Sequence, residues 1–316
     1  MPPCWQVLRA GRAVTASIQD LLAPWLAERL GLSLRAIAPV SGGCIHRAWC
    51  LRLEGGERLF AKTNQASALA MFEAEATGLR SLARWAEPPL RVPEPLAVGL
   101  AGSLAVLLLP WLELDGGAAQ GASGWRALGA ALAQLHRRSC GGESRGYGFE
   151  ADNFIGSAPQ INTWHSDWAT FFAACRLAPQ FRRAAAAGRP LAGAERLLAE
   201  LPALLGSHSC RPALVHGDLW SGNAALLASG GGALFDPACH WADREVDLAM
   251  ARLFGGFPAA FFAGYEASWP LPEGAGQRQE LYNLYHLLNH ANLFGGGYWH
   301  QSQASLDGLL RGGPAG

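Results

Sequence analysis

The spacing of apolar residues predicts a helix over residues 17–30. Apolar side chains recur there at intervals of three and four residues, which places them on one helix face. They are Ile18, Leu21, Leu22, Trp25, Leu26 and Leu30. Ser17 is suited to cap the first turn and Gly31 to end the helix, while Pro24 is expected in the first turn or at a kink.

Short apolar runs separated by glycine predict strands in the next part of the chain. Residues 34–53 have the pattern strand, glycine loop, strand, and a further strand is expected to close at Lys62. Residues 96–112 are the most apolar stretch, but Gly102 and Ser103 divide it into two runs of strand length. A hairpin explains this stretch better than a membrane span, which needs about 20 continuous apolar residues.

Helical spacing dominates the rest of the chain. Amphipathic helices are predicted over residues 125–138, 167–177, 189–205 and 281–293, and a loop is predicted over residues 141–160. The Gly- and Ala-rich stretch 115–124 marks a change in composition that is typical of a domain boundary. We therefore predict an α+β protein with a strand-rich domain over residues 1–112 and a mainly helical domain over residues 113–316.

The composition is typical of a globular protein and does not indicate binding to a nucleic acid or a membrane surface. Of 316 residues, 50% are hydrophobic and 16% are charged, which excludes a disordered chain. The formal net charge is zero, so nothing favours a nucleic acid or a membrane surface. The seven cysteines form no CxxC pair, and residues 1–14 contain no continuous apolar segment of a signal peptide. We expect a soluble, cytoplasmic protein without a disulfide framework or zinc site.

The strongest candidate for chemistry is the stretch L-V-H-G-D-L-W-S-G-N, residues 214–223. A buried strand is predicted to end at Val215, and Asp218 and Asn223 follow with a spacing of five residues. In phosphotransferases, such an aspartate accepts or orients the proton of the attacking hydroxyl, while the asparagine and a second aspartate hold magnesium. Asp236, at the polar end of another short strand, is that second aspartate. By itself, H-G-D is also common turn chemistry.

Three upstream features occur in the order that nucleotide binding requires. Gly42 and Gly43 lie between two predicted strands, where they can present backbone N–H groups to phosphate, although a simple hairpin turn has the same pattern. Lys62 either pairs with the α- and β-phosphates or extends its ammonium to solvent at a strand end. Glu75 of the following helix lies beside the apolar stripe and is the preferred partner of Lys62, with Glu73 as the alternative.

Other polar residues have two interpretations each. His136 is interpreted as a structural rather than a catalytic histidine. Asp247 either caps a helix or forms a hydrogen bond back to residues 216–223, which we call the catalytic loop. The helix over residues 281–293 either lines a sugar pocket or forms a polar seam between helices, through Tyr285, His286, Asn289, His290 and Asn292. Backbone groups that would meet an adenine edge follow the last strand, at Pro110, Trp111 and Leu112.

Six motifs occur in the order of one known family. They are S-G-G-C-I (residues 41–45), F-A-K (60–62), M-F-E-A-E (71–75), D-N-F-I-G (152–156), H-G-D-L-W-S-G-N (216–223) and L-N-H-A-N-L-F-G (288–295). Over residues 17–310 the chain resembles the fructosamine kinase, or ketosamine-3-kinase, family. The resemblance implies a bilobal protein-kinase-like fold, with a small antiparallel β-sheet lobe that carries a helix and a larger, mainly helical lobe.

The resemblance also implies an activity. It implies ATP-dependent phosphorylation of the sugar 3-hydroxyl of ketosamines, the rearranged adducts that glycation leaves on amines, with Mg²⁺ as cofactor. The phosphorylated adduct then decomposes and frees the amine. The substrates expected are glycated small molecules or glycated protein lysines, and the resemblance leaves open whether the protein is a monomer or a homodimer.

By the same resemblance, the candidate residues have defined roles. Asp218 accepts the hydroxyl proton, Lys62 positions phosphates and is held by Glu75, and Asn223 and Asp236 bind magnesium.

Further positions are assigned to nucleotide and substrate. Trp220 contacts the sugar or its amine, or else anchors the loop by packing, and His290 and Asn292 line the substrate pocket. Cys44 joins Gly42 and Gly43 at the nucleotide; it is either a redox-sensitive thiol or a small apolar loop residue. His46 departs from the smaller polar residue expected after this loop.

Two other functions are compatible with these motifs. One is a kinase of the same fold that acts on another small-molecule hydroxyl, such as a sugar, a choline-like alcohol or an aminoglycoside. The other is a pseudokinase that binds nucleotide without turnover, although the complete set of Lys62, Asp218, Asn223 and Asp236 argues against it.

Overall fold

The computed structural model describes residues 13–41, 45–115, 121–140, 142, 145–206 and 208–312, with side chains from Ile18 onward. The chain divides into two compact units. The first comprises Met1–Arg80 and Pro93–Glu113, and the second comprises Ser81–Val92 and Leu114–Gly316. Residues 81–92 lie within the predicted N-terminal domain but belong to the second unit, because Leu82 and Leu90 pack into its core.

Among the described residues, strands dominate the first part of the chain and helices the second part, as in an α+β protein. The helices are α1 (Ala13–Leu30), α2 (Leu69–Ala83), α3 (Gly121–Ser139), α4 (Trp168–Phe171), α5 (Ala178–Ala186), α6 (Ala194–Leu205), α7 (Glu245–Leu253), α8 (Ala259–Ser268), α9 (Ala275–Phe294) and α10 (Tyr298–Arg311). The strands are β1 (Leu34–Val40), β2 (Arg47–Leu53), β3 (Arg58–Gln65), β4 (Leu90–Arg91), β5 (Ala97–Ala101), β6 (Leu104–Pro110), β7 (Asn153–Ile155), β8 (Ala158–Gln160), β9 (Ala213–Val215), β10 (Ala224–Leu226), β11 (Gly232–Leu234) and β12 (His240–Ala242).

The first unit is built on a five-stranded antiparallel sheet with the order β1-β2-β3-β6-β5. Because side chains alternate between the faces of a sheet, one face presents Trp49, Leu51 and Leu108 to Trp25 and Leu26 of α1. The hairpin predicted in residues 96–112 is confirmed as β5 and β6. In the part of the chain that the structure describes, no helix is both long and apolar enough to cross a membrane.

Helix α1 extends further towards the N-terminus than predicted. It begins at Ala13, so Ser17 is not its cap, and Pro24 lies in its interior rather than in its first turn. A proline there removes one backbone hydrogen bond from the helix. The buried residues Leu22, Trp25 and Leu26 surround Pro24 and pack against the sheet, which offsets that loss.

The second unit is mainly helical and contains three small sheets among its described residues. Strand β11 lies between β10 and β4, β9 pairs with β12, and β7 pairs with β8. One core cluster packs around Trp168, Phe172 and Tyr282, and a second around Leu132 and Phe261. Strands β9, β10, β11 and β12 are short, but they flank residues 216–223 and the segment that carries Asp236.

Three predictions for the second unit differ in detail from the structure. The helix predicted over residues 167–177 is α4 followed by a π-helical turn, Phe172–Leu177, that leads into α5. Helix α6 begins five residues after position 189, at Ala194, and the loop predicted around residues 141–160 contains β7 and β8. A π-helical turn has more residues than an α-helical one, so it shifts which side chains face the core.

The π-helical turn directs Arg176 into the interior. Its side chain is only 1% exposed, and it donates hydrogen bonds to Ile161 O and to Asn162 Oδ1. The guanidinium lies 4.6 Å from the ring centroid of Phe171. These acceptors and the ring compensate part of the cost of burying a cation.

Helices α3 and α8 pack closely because each has a glycine where they cross. A Cβ atom added to Gly129 of α3 would lie 1.9 Å from Phe261 O, and one added to Gly264 of α8 would lie 1.9 Å from Arg126 O. Both distances are far shorter than any van der Waals contact, so a methyl group at either position requires the helix backbones to separate.

We predict that Gly264→Ala lowers the free energy of unfolding by about 2 kcal/mol or more, because the helices must separate and their core contacts weaken. Urea unfolding followed by circular dichroism measures the change. The matched control is Gly276→Ala in α9, where an added Cβ meets nothing within 4 Å. It should be neutral or slightly stabilising, since alanine favours a helix more than glycine does. Equal effects of the two substitutions would contradict the packing argument.

Candidate active site

The first unit contains a buried ion pair at the predicted lysine. Lys62 lies inside β3, opposite Ala48 of β2 and Leu107 of β6, so it is in the middle of the sheet rather than at a strand end. Its Nζ donates a hydrogen bond to Glu75 Oε1 at 2.7 Å, and the two side chains are 7% and 11% exposed. Glu73, the alternative partner, is exposed. Burying two charges is costly unless they pair well, so this ion pair holds the ammonium in a defined position.

The predicted phosphate loop lies at the edge of what the structure describes. Gly42, Gly43 and Cys44 are outside the described residues. His46, which follows them, packs 4.6 Å from the ring of Phe72. Its Nδ1 lies 2.9 Å from Asn64 Nδ2. The histidine that departs from the family pattern is therefore held by β3 and α2.

The segment expected beside an adenine ring continues directly from β6. Pro110, at the end of β6, pairs with Leu59 of β3. The Trp111 ring lies 5.2 Å from the Arg58 guanidinium carbon and 6.4 Å from the Phe60 ring. Arg58 also forms an ion pair with Glu113. These contacts hold the Trp111 side chain on the sheet, while Leu112 follows as irregular backbone.

In the second unit, a single carboxylate organises the loop after β9. The Asp247 side chain accepts hydrogen bonds from the backbone N–H groups of His216 and Gly217 at 2.7 and 2.8 Å. It also accepts one from His136 Nε2 at 3.1 Å, and His136 Nδ1 lies 2.9 Å from the Tyr265 hydroxyl. Of the two interpretations of Asp247, the bond back to the loop is confirmed. His136 is buried in this network, which confirms its structural interpretation.

The pKa of Asp247 reflects this network. Burial alone would raise the pKa of this carboxyl group, but the hydrogen bonds from His136 and from the Gly217 amide lower it below the ordinary aspartate value. Asp247 is therefore an anion at neutral pH, and it fixes the backbone immediately before Asp218.

Gly217 allows the loop to turn. Its φ of +81° belongs to the left-handed region that favours glycine, and an added Cβ would lie 2.1 Å from Ala238 O. The backbone of the loop thus lies directly against the segment that follows Asp236. A side chain at position 217 would separate the two segments.

The structure brings together the three residues predicted for phosphoryl transfer. Asn223 Nδ2 donates to Asp218 O at 2.9 Å, to Asp218 Oδ2 at 3.4 Å and to Asp236 O at 3.3 Å. The backbone N–H of Phe235 also donates to Asn223 O at 3.1 Å. Asp236 has a φ of +58°, an uncommon conformation that aspartate tolerates better than most residues and that often occurs at functional sites.

Asp218 is poised to exchange a proton near neutral pH. Burial raises its pKa to about 7, and the negative charges of Asp236 and Asp247 add to the rise, while the hydrogen bond from Asn223 opposes it. A general base works best when its pKa lies close to the working pH. The arrangement therefore suits proton acceptance from a hydroxyl group.

Comparisons with known proteins agree with this geometry. A family model described as fructosamine kinase matches residues 19–312. The chain belongs to the fructosamine kinase family. A probable ketoamine kinase from Synechocystis sp. is 46% identical over 272 residues, which are 86% of this chain and 89% of that protein. The chloroplastic protein-ribulosamine 3-kinase of Arabidopsis thaliana is 36% identical over 304 residues, which are 95% of this chain and 90% of that protein.

A solved structure establishes the fold class. A protein from Haemophilus somnus, described as a candidate fructosamine-3-kinase, aligns with a TM-score of 0.81 at 28% identity and covers 92% of this chain and 96% of its own. The fold is the α+β protein-kinase-like fold that the family resemblance implied.

One family motif supports the site without containing a catalytic group. Asn153, in the D-N-F-I-G motif, donates from Nδ2 to Cys239 O at 2.8 Å. Gln160 Nε2 donates to Ala238 O at 3.1 Å and to Asn153 Oδ1 at 2.8 Å. The motif thus fixes the backbone that follows Asp236. The sequence motif identified the segment but not this role, because its partners are about 80 residues away along the chain.

Of the five polar residues predicted on α9, Asn289 and Asn292 form the interhelical seam, which is one of their two interpretations. Asn292 donates to Gln180 O at 3.1 Å and to Gln180 Oε1 at 2.8 Å, and Asn289 Oδ1 accepts from Gln180 Nε2 at 3.2 Å. The Tyr285 hydroxyl donates to Gln160 Oε1 at 2.7 Å. His290 donates from Nδ1 to the backbone of its own helix, at His286 O. The side-chain amide of Asn292 is therefore hydrogen-bonded to α5 in this structure.

Trp220, the predicted substrate contact, folds over its own loop. A Cβ added at Gly222 would lie 2.2 Å from the Trp220 ring, so the ring rests on that glycine. One part of the side chain nevertheless remains exposed. The geometry is that of a loop anchor which keeps one accessible surface.

We predict that Asp247→Asn lowers the free energy of unfolding by about 2–4 kcal/mol at pH 7, because the amide has one acceptor oxygen and its NH₂ group faces existing donors. The pKa of Asp247 is lowered in the folded protein, so its stabilising effect is present above about pH 4 and is lost as the pH falls below that. Urea unfolding from pH 3.5 to 8 measures the free energy of unfolding of the wild type and of Asp247→Asn. The difference between the two values should become smaller at the acidic end of this range.

The matched control for that substitution is Asp20→Asn on the exposed surface of α1. It should change stability by no more than about 0.5 kcal/mol. A pH-independent loss in Asp247→Asn would rule out the ionised carboxylate as its cause.

Proposed function

We propose that this protein is an ATP-dependent kinase that phosphorylates the sugar 3-hydroxyl of ketosamines. The observation that carries the proposal is the hydrogen-bonded group of Asp218, Asn223 and Asp236 in a member of the fructosamine kinase family. Phosphoryl transfer requires a proton acceptor for the hydroxyl group and oxygen ligands for a cation, and these three side chains supply both.

Asp218 is assigned as the proton acceptor. Its raised pKa of about 7 means that the carboxylate is available at neutral pH and is basic enough to accept a proton from the attacking hydroxyl. Asp247 is assigned as a positioning residue, because its contacts are with the backbone of His216 and Gly217 rather than with a reacting group.

Asn223 and Asp236 are assigned as the ligands of Mg²⁺. Asn223 uses its Nδ2 atom to donate to Asp218 O and Asp236 O, which turns its amide oxygen away from those acceptors. An amide oxygen and a carboxylate are the hard donors that Mg²⁺ prefers, so the residues fit the ion. When bound with the nucleotide, Mg²⁺ would neutralise charge on the phosphates.

Lys62 is assigned to the nucleotide phosphates, with Glu75 as its positioning partner. The ion pair leaves the ammonium held at one place on the sheet, as a fixed cation for an anionic ligand. Gly42, Gly43 and Cys44 are assigned to the same nucleotide from the family motif, and the backbone at Pro110 to Leu112 to its adenine edge.

The product is expected to be unstable for a chemical reason. In the 1,2-enaminol tautomer of a ketosamine, the 3-phosphate is allylic and is a better leaving group than hydroxide. Its departure and hydrolysis of the remaining imine free the amine. We therefore propose a role in deglycation, on glycated small molecules or on protein lysines, with a cytoplasmic setting.

The direct test is ADP release with ATP and Mg²⁺ against ribulose-lysine, fructose-lysine, choline, an aminoglycoside and no acceptor. Turnover on ketosamines alone is expected. Turnover only on choline or the aminoglycoside would mean that the acceptor is not a ketosamine. Nucleotide binding without any turnover would contradict the assignment as an enzyme.

We predict that Asp218→Asn reduces kcat on ribulose-lysine by about 10³-fold or more, because the amide cannot accept the hydroxyl proton. Its affinity for ATP should stay within about threefold of the wild type, since Asp218 is not assigned to the nucleotide. Stopped-flow turnover and equilibrium nucleotide titration measure the two effects. Retained turnover would remove Asp218 from the role of base.

We predict that Glu75→Gln raises the KM for ATP by about tenfold, which corresponds to about 1.4 kcal/mol, because Lys62 loses the anion that positions it. The control is Glu73→Gln, which changes the exposed glutamate two positions earlier on α2. Steady-state kinetics with varied ATP compare the two variants. The same KM in both would mean that the ion pair does not serve nucleotide binding.

A further inference from the structure

Four aromatic rings meet at one end of α9 in the second unit. Their members are Phe254, His290, Phe294 and Tyr298, which we call the aromatic cluster. The His290 ring centroid lies 4.6 Å from Phe254, 5.2 Å from Tyr298 and 5.5 Å from Phe294. Phe254 and Tyr298 are 6.3 Å apart in an edge-on arrangement. Three different segments therefore supply one continuous group of rings.

The aromatic cluster presents apolar surface to solvent. Phe294 is 60% exposed and Phe254 is 37% exposed, and both are among the few large apolar side chains with that exposure in the described residues. Burial lowers the pKa of His290, so its ring is uncharged at neutral pH. A grouped apolar surface of this kind commonly marks a binding site.

The aromatic cluster lies beside the catalytic loop. Gly256, two residues after Phe254, is so close to Ser221 that an added Cβ would lie 2.2 Å from Ser221 Oγ. On α9, the Tyr285 hydroxyl donates to Gln160 Oε1, and Gln160 Nε2 donates to Ala238 O, two residues after Asp236, which places that tyrosine near the site. His290 follows Tyr285 by five residues, or about 7.5 Å along the helix axis.

We propose that the aromatic cluster binds the aliphatic arm of ketosamines formed on long alkyl amines such as lysine side chains. This inference rests on the proposed function. In such a substrate, the reacting hydroxyl and the amine nitrogen are only a few bonds apart, and the methylene chain leads away from the sugar. With the hydroxyl at Asp218, an extended arm leads past Ser221 of the same loop, which lies against Gly256, two residues from Phe254 of the cluster.

The chemistry of the rings matches that occupant. An uncharged methylene chain loses little hydration when it lies on aromatic faces and gains from the burial of apolar area on both sides. The cluster therefore selects by the length of the arm, whereas Asp218 acts on the sugar hydroxyl common to all ketosamines.

The test is a series of ketosamines made from one sugar with methylamine, propylamine and hexylamine. For the wild type, kcat/KM should rise by at least about tenfold from the methyl to the hexyl adduct, since each fully buried methylene contributes up to about fourfold. In Phe254→Ala/Phe294→Ala this ratio should fall to about twofold or less. Phe294→Ala alone changes the more exposed ring and should give an intermediate ratio.

The control is Phe262→Ala in α8, whose ring packs on Phe257 and Phe261. It should keep the wild-type ratio, and thermal unfolding shows whether each variant is folded. If kcat/KM of the wild type is the same for the methyl and hexyl adducts, the subsite is overturned while the ketosamine kinase activity stands. An unchanged hexyl-to-methyl ratio of kcat/KM in the double variant has the same meaning. A reduced hexyl-to-methyl ratio of kcat/KM in the control also overturns the subsite. No turnover on any adduct overturns the proposed function and the subsite together.

Discussion

The second unit depends on the hydrogen bonds that one buried carboxylate accepts. Asp247 is fully buried and is bonded to the backbone of His216 and Gly217 and to the side chain of His136. A buried anion is tolerated only when its partners are in place, so the geometry of the loop before Asp218 is tied to the packing of α3 and α7. The network continues to Tyr265, and through it the loop is coupled to α8.

The loop also has a second support on its other side. Gly217 approaches Ala238, and the side chains of Asn153 and Gln160 hold the backbone at Ala238 and Cys239. The two short segments that carry the candidate phosphotransfer residues are thus fixed by elements from four distant parts of the sequence. This explains how irregular backbone can hold charged groups in positions suited to chemistry.

Helix α9 combines two kinds of surface along its length. Tyr285, Asn289 and Asn292 form a seam in which they satisfy polar groups of β8 and α5. His290 and Phe294, which alternate with them near the end of the helix, belong to the aromatic cluster. The same helix therefore stabilises the unit and offers an apolar surface. A polar residue on an amphipathic helix can serve either purpose, and only its partners distinguish them.

The sequence by itself determined the strands of the first unit and most of the helices, and it predicted that Asp218, Asn223 and Asp236 belong together, because local periodicity and motif spacing are properties of neighbouring residues. It also favoured Glu75 over Glu73 from the position of the apolar stripe. The tertiary structure alone decided the close crossing at Gly129 and Gly264, the burial of Arg176 by a π-helical turn, and the use of Asn292 as a seam residue. It also decided the grouping of Phe254 with the end of α9. These features consist of contacts between segments far apart in the chain, and no local pattern specifies which distant side chain will fill a given contact.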